Sequence, residues 1–284
     1  MSNGEHPLNG EQPSSGEKPS IYKKTDLTYN DYLKVPELIG LQQPLSQPEH
    51  HDEMLFIVIH QAYELWFKLC LHEIERALDF MEQNEPLKAQ HFIKRTVEIF
   101  RVLLGQIHIL ETMRPIDFLG FRDHLMPASG FQSLQFRELE FISGLKDEAY
   151  LKYFQSRPEV IERLKYRLAS RDLNSAYLKM MNGLGFQVPV TDTVENHEAV
   201  LEGIRPIYQN PESHLEVYLL SESLVDLDQA LSFWREHHVK VVERVIGFRR
   251  GSGGSSGVEY LRSQTAKKAF PYLWEVRSLL KLEK

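Results

Sequence analysis

The chain has 284 residues, 42% hydrophobic and 26% charged, which is enough apolar material for one large domain or two smaller ones. Its net charge of −7 argues against nucleic acid as the main partner, and no apolar run is read as long enough to cross a bilayer. Cys70 is the only cysteine, which excludes an intrachain disulfide framework and a cysteine-rich zinc or iron–sulfur cage; the expected compartment is the cytoplasm.

Residues 1–20 are rich in Gly, Pro, Ser, Asn and Glu and lack an apolar segment, so they read as a disordered tail ahead of a domain over 21–284. Few segments alternate with period two, and most carry three-four spacing, so the expected class is all-α in a single domain of long antiparallel helices. A first short helix is expected over Thr28 to Leu38, capped by Thr28. After the Pro-rich connector 43–48, a long helix should begin near His51 and reach Glu82. Its apolar residues cover more than one stripe, so burial on most sides is expected. A third helix should run from Glu85 to Met113 and stop before Pro115. Shorter helices follow at 137–144, 147–154, 159–170, 172–181 and 194–204. Residues 213–248 form one long helix or two, and 260–280 contain the last.

Within 213–248 a seam of larger residues, Leu224, Leu227, Leu231, Trp234, His238, Val241, Val245 and Phe248, follows one helical face. Consecutive helical residues diverge by roughly 100°, so the seam selects His238 and leaves His237 on a flank. A neutral imidazole in an apolar groove suits an axial haem ligand. His60 shares a spacing with Phe56, Tyr63 and Phe67 on the long second helix, so its ring should also face an aromatic interior. Each histidine alone also reads as an ordinary core residue; together, in a helical chain with one cysteine, they favour a metal or cofactor between helices.

Arg122 follows Phe118 and Phe121 and precedes a Ser/Gly turn at 129–133. Its guanidinium fork suits a carboxylate, with an ion pair to Asp123 or a nearby glutamate as the plainer alternative. The run Gly251–Gly257 lacks the Lys-Ser/Thr ending of a phosphate loop and reads as a helix cap with a flexible connection, or as a lid. His50 and His51, with Asp52 and Glu53, read as residues of a helix start.

Three blocks closely resemble tryptophan 2,3-dioxygenases of bacterial, haem-dependent type: His51-Asp52-Glu53-Met54-Leu55-Phe56 through His60 and Glu64-Leu65-Trp66; Gly120-Phe121-Arg122-Asp123 with Ser129-Gly130-Phe131-Gln132-Ser133; and Arg244-Val245-Ile246-Gly247-Phe248 through Gly257. The resemblance covers roughly Leu27 to Leu279. It implies haem b, ferrous when active, with His238 as the proximal iron ligand and His60 as the distal histidine accepting a hydrogen bond from the indole N–H. Arg122 would hold the substrate carboxylate, and Phe56, Ile57, Val58, Ile59 and Phe118 would pack on the indole. Ser252 would contact the amino-acid end. Tyr29, Tyr32 and Leu33 would reach a neighbouring subunit's pocket in a homotetramer. The implied reaction is insertion of both atoms of O2 across the indole C2–C3 bond of L-tryptophan, with neither nucleic acid nor membrane as partner. Two positions depart from many relatives: Ser252 where threonine is common, and Phe118 where some carry tyrosine. A haem enzyme acting on a modified indole and a non-catalytic haem sensor are the alternatives.

Overall fold

A computed structural model of the chain describes residues 26–249 and 258–281. The expected tail over 1–20, and the run Gly251–Gly257 with Ser252, lie outside the described residues. All regular structure among the described residues is helical. The backbone divides into two compact units, one ending at Leu41 and one beginning at Gln42.

The first unit holds α1 (Tyr29–Leu33) and α2 (Val35–Ile39). Thr28 caps α1 as expected: its hydroxyl accepts from Asp31 N, and the Asp31 carboxylate accepts from Thr28 N, both at 3.2 Å. One continuous helix was expected, but Lys34 turns left-handed at φ 54°. Pro36 explains the break, because continuing α1 would need an N–H that proline lacks and would drive its ring into the Tyr32 carbonyl.

The second unit is built on α3 (His51–Glu82), α4 (Pro86–Leu110) and, later in the chain, α10 (Leu215–Ile246). Asp52 and Glu53 occupy the first turn of α3, where the helix dipole favours acid. Glu53 is fully buried and accepts from Leu45 N at 2.7 Å and Ser46 N at 3.0 Å, which folds the Pro-rich connector back onto the helix start. The second half of α3 is buried as expected, through Cys70, Ile74, Ala77, Leu78 and Met81. The first half is not: Met54, Val58 and Leu65 are exposed, because the neighbouring helices cover only the side carrying Ile59, Tyr63 and Phe67. By length and composition α3 could cross a membrane, contrary to the reading of the sequence. It carries Glu53, Glu64, Glu73 and Asp79 along its length and packs on α4 and on helices further along the chain.

After α4 comes α5 (Pro115–Arg122), which the sequence reading missed by treating Pro115 only as a terminator; here it is the first residue of a new helix. Gly120 leaves room for the His50 ring, since a Cβ there would lie 2.7 Å from His50 Cδ2 and force that ring to move. The 129–133 turn contains one turn of 3-10 helix and leads into α6 (Leu134–Ser143). Residues 148–154, expected as α-helix, form 3-10 helix. Then follow α7 (Pro158–Ala169), α8 (Leu173–Gly183), α9 (His197–Gln209) and α10 (Leu215–Ile246), the last a single helix of 32 residues. α4 packs along both α3 and α10. The seam residues Leu224, Leu227, Leu231, Trp234 and Val241 are buried, but Phe248 is 85% exposed because α10 ends at Gly247, whose φ is 62°.

One last helix was expected over 260–280. The chain instead forms α11 (Val258–Thr265), α12 (Pro271–Glu275) and a 3-10 turn at Val276–Leu279. Pro271 cannot continue a helical ladder, and the buried Asp228 carboxylate takes up Ala269 N at 2.9 Å and Trp274 Nε1 at 3.0 Å, pinning the break to α10.

Candidate functional site

Phe56, His60, Tyr63, Glu64 and Phe67 lie three or four residues apart on α3, so their side chains share one face. That face lines a cavity of about 580 Å³, within the size range of small-molecule sites. α10 supplies the opposite set with Trp234, His238 and Val241, and α5 contributes Phe118 and Arg122.

The His60 ring lies 4.0 Å from Phe56, and its Nδ1 is 2.7 Å from the Phe56 backbone oxygen. A carbonyl only accepts, so the hydrogen sits on Nδ1 and Nε2 is left as an acceptor. Burial holds the His60 pKa below its usual value, with the Phe56 hydrogen bond and the nearby Glu64 charge opposing. His238 lies parallel to Trp234, ring centroids 5.2 Å apart. Burial pushes its pKa down to about 4, and the charges of His60 and Arg137 act in the same direction. Both imidazoles are therefore neutral at pH 7. His237 is exposed, as the seam requires.

The cavity walls are aromatic around Phe56 and Phe118, whose centroids are 5.6 Å apart, and Phe121 packs edge-on to Phe118 at 5.3 Å. Arg122 ends α5, half-buried and lining the cavity. Within the run Phe56–His60 only the two ends line it. Ile57 is half-buried off the cavity, Val58 is 45% exposed and Ile59 is in the core, because each step along a helix rotates the side chain by roughly 100°. Tyr29, Tyr32 and Leu33 lie on α1 and are exposed in the first unit.

The sequence reading missed a charged cluster on the cavity wall. Arg137 and Arg235 share Glu140, with Arg235 Nη2 at 2.8 Å from Oε1, and all three residues are buried. The Arg137 guanidinium also lies 4.2 Å from the Tyr150 ring centroid. Two cations for one carboxylate leave surplus positive charge beside an otherwise apolar cavity. The available signal was the i,i+3 Arg137–Glu140 pair inside the apolar window 134–143. Cys70 is buried, and burial raises its thiol pKa to about 12, so it packs as a small hydrophobe.

This donor set fits a prosthetic group that brings its own equatorial ligands. No cluster of three His, Cys, Asp or Glu occurs among the described residues to hold a bare ion. The neutral His238 imidazole as a donor from α10, apolar walls and buried guanidinium groups for an anionic edge match a haem.

The sequence profile described as tryptophan 2,3-dioxygenase matches residues 15–196 and 191–280. Relatives named tryptophan 2,3-dioxygenase include one from Nocardioides sp., 46% identical over 89% of this chain and 95% of its own length. One from Herpetosiphon aurantiacus is 44% identical over 89% of this chain and 98% of its own. One from Caulobacter vibrioides is 43% identical over 90% of this chain and 99% of its own. Similarity at this level, sustained through nearly the whole of each relative, means that the chain belongs to the tryptophan 2,3-dioxygenase family.

Proposed function

We propose that this protein inserts both atoms of O2 across the indole C2–C3 bond of L-tryptophan to give N-formyl-L-kynurenine, the first step of tryptophan degradation by the kynurenine pathway. The observation that carries the reading is the pair of neutral histidines, His60 on α3 and His238 on α10, lining one aromatic cavity with Arg122, in a chain of this family.

Haem b in the ferrous state, when bound, supplies the oxygen chemistry. His238 would hold the iron through a ring nitrogen that burial keeps unprotonated, and Arg137 and Arg235 would face anionic carboxylates of the prosthetic group. Arg122 would take the tryptophan carboxylate in a bidentate ion pair. His60 Nε2 would accept the indole N–H, an orienting bond and not a full proton transfer, because an indole N–H is far too weak an acid for imidazole to ionise. Phe56 and Phe118 would flatten the ring against one wall, and the aromatic enclosure would exclude bulk water.

Ile57, Val58 and Ile59 would support Phe56 and His60 from the helix. Ser252 would meet the amino-acid end of the substrate from the glycine loop. Tyr29, Tyr32 and Leu33 would complete a neighbouring copy's site in a homotetramer of antiparallel helices. The exposed apolar residues Met54, Val58 and Leu65 on α3 support such an assembly. The compartment is taken as cytoplasmic, with no role for membrane or nucleic acid.

The test is turnover of L-tryptophan by the reduced, haem-loaded protein under ¹⁸O2. Incorporation of two labelled oxygen atoms into one product molecule is expected. One labelled atom, or none, would contradict dioxygenation and favour chemistry on a modified indole or a sensor.

A further inference from the structure

We propose that Glu64 is a positioning residue for this reaction, clamping the 129–133 wall of the cavity beside His60; the proposal rests on the site assignment above. Glu64 follows His60 by four residues on α3, so both side chains emerge on the cavity face. Each of its carboxylate oxygens is held from the facing wall. Ser133 Oγ donates to Oε1 at 2.6 Å, and Gln135 Nε2 donates to Oε2 at 2.8 Å. The same Gln135 amide donates to the Glu64 backbone oxygen at 2.8 Å.

These bonds fix more than two side chains. Ser133 caps α6, its hydroxyl accepting from Phe136 N at 3.2 Å, so the carboxylate holds the start of that helix and the turn leading into it. Ser129, Gly130 and Phe131 of that turn line the cavity. Phe136 packs 4.7 Å from Trp234, which lies parallel to His238. One carboxylate thereby sets the distance between the His60 face and the wall across from it. None of the substrate or cofactor contacts assigned above uses this charge.

An ionised carboxylate only accepts, so it satisfies both donors at once. Glutamine at 64 keeps one acceptor oxygen for Ser133 but sets its NH2 against Gln135 Nε2. Should Gln135 turn its amide over to accept, the Glu64 backbone oxygen loses its side-chain donor. Turned the other way, the glutamine at 64 donates to Ser133 Oγ and leaves that hydroxyl's own hydrogen without its acceptor, so each arrangement forfeits a donor–acceptor match and loosens the turn.

The experiment compares the haem-loaded parent with Glu64→Gln, with Gln135→Leu, which removes the facing donor, and with the double variant, a cycle that reads the coupling between the two side chains. Three readouts are taken: tryptophan affinity from the Soret perturbation, steady-state constants, and amide hydrogen exchange over residues 129–135. In Glu64→Gln, Kd and KM should rise about tenfold, as loss of one such bond implies, with kcat within about twofold. Haem content should be unchanged and exchange over 129–135 faster, and the double variant should lose no more affinity than Gln135→Leu alone. Parental affinity and exchange in Glu64→Gln would overturn the proposal. So would losses that add in the double variant, or a loss of affinity accompanied by haem loss, the mark of a general role in the fold. A parent Soret band that ignores tryptophan would overturn the underlying site assignment, and the clamp's role with it.

Discussion

His60 and His238 are both neutral because burial disfavours the imidazolium, yet their surroundings give them different capacities. His60 commits one nitrogen to the Phe56 carbonyl and keeps the other as an acceptor of fixed direction. His238 lies against Trp234 and has no hydrogen-bond partner among the described residues. Substitution should separate them. His238→Ala should purify with haem well below one per chain, whereas His60→Ala should retain haem and lose about tenfold in turnover, the scale of one hydrogen bond. Haem content by absorbance and initial rates check this, and a fully loaded, active His238→Ala would remove that residue as the ligand. These histidines, with Phe56, Phe118 and Arg122, were legible because three-four spacing and flanking aromatics mark a face before any fold is known. Ile57 to Ile59 were assigned to the indole by family likeness, and helix rotation turns them off the cavity. Beyond the i,i+3 spacing of Arg137 and Glu140, the cluster with Arg235 was not legible, because charges in a helix ordinarily read as a solvated face and only tertiary packing buries these together.

At the scale of elements, long periodic helices were the most readable. α3 spans the residues its acidic start and apolar run indicated, and α4 ends before Pro115 as expected. Short elements failed where a proline or a tertiary tie intervened, as at Lys34, at Pro115, and between α11 and α12. One such tie carries a pH dependence. His197, at the start of α9, has Nδ1 2.7 Å from Asp192 Oδ1 and Nε2 2.9 Å from Glu275 Oε2, joining α9 to the end of α12. The Asp192 hydrogen bond, then that of Glu275, raise its pKa above 6.5. A histidine whose folded pKa is raised stabilises the fold fully below its unfolded pKa and loses that contribution as pH rises through the folded value. The parent should therefore melt higher than His197→Gln near pH 5.5, with the gap narrowing as pH rises past 6.5 and beyond. Thermal melts across that range check the sign; a gap that widens with pH would contradict the assigned protonation.

For the whole molecule, the all-helical class followed from the lack of alternating segments, and the pairing of α4 with both α3 and α10 places the two histidine-bearing helices around one cavity. The sequence could not reveal which side of α3 stays uncovered, since its apolar residues ring the helix and only packing distinguishes Ile59 at 5% exposure from Val58 at 45%. The central claim is that this cavity holds haem on His238 and L-tryptophan beside it. An absorption spectrum of the purified protein, reduced under nitrogen, then mixed with L-tryptophan and then with air, tests it in one sample. A Soret band that shifts with tryptophan, followed by growth of formylkynurenine absorbance, is the expected result; no Soret band even after haem reconstitution would contradict the account.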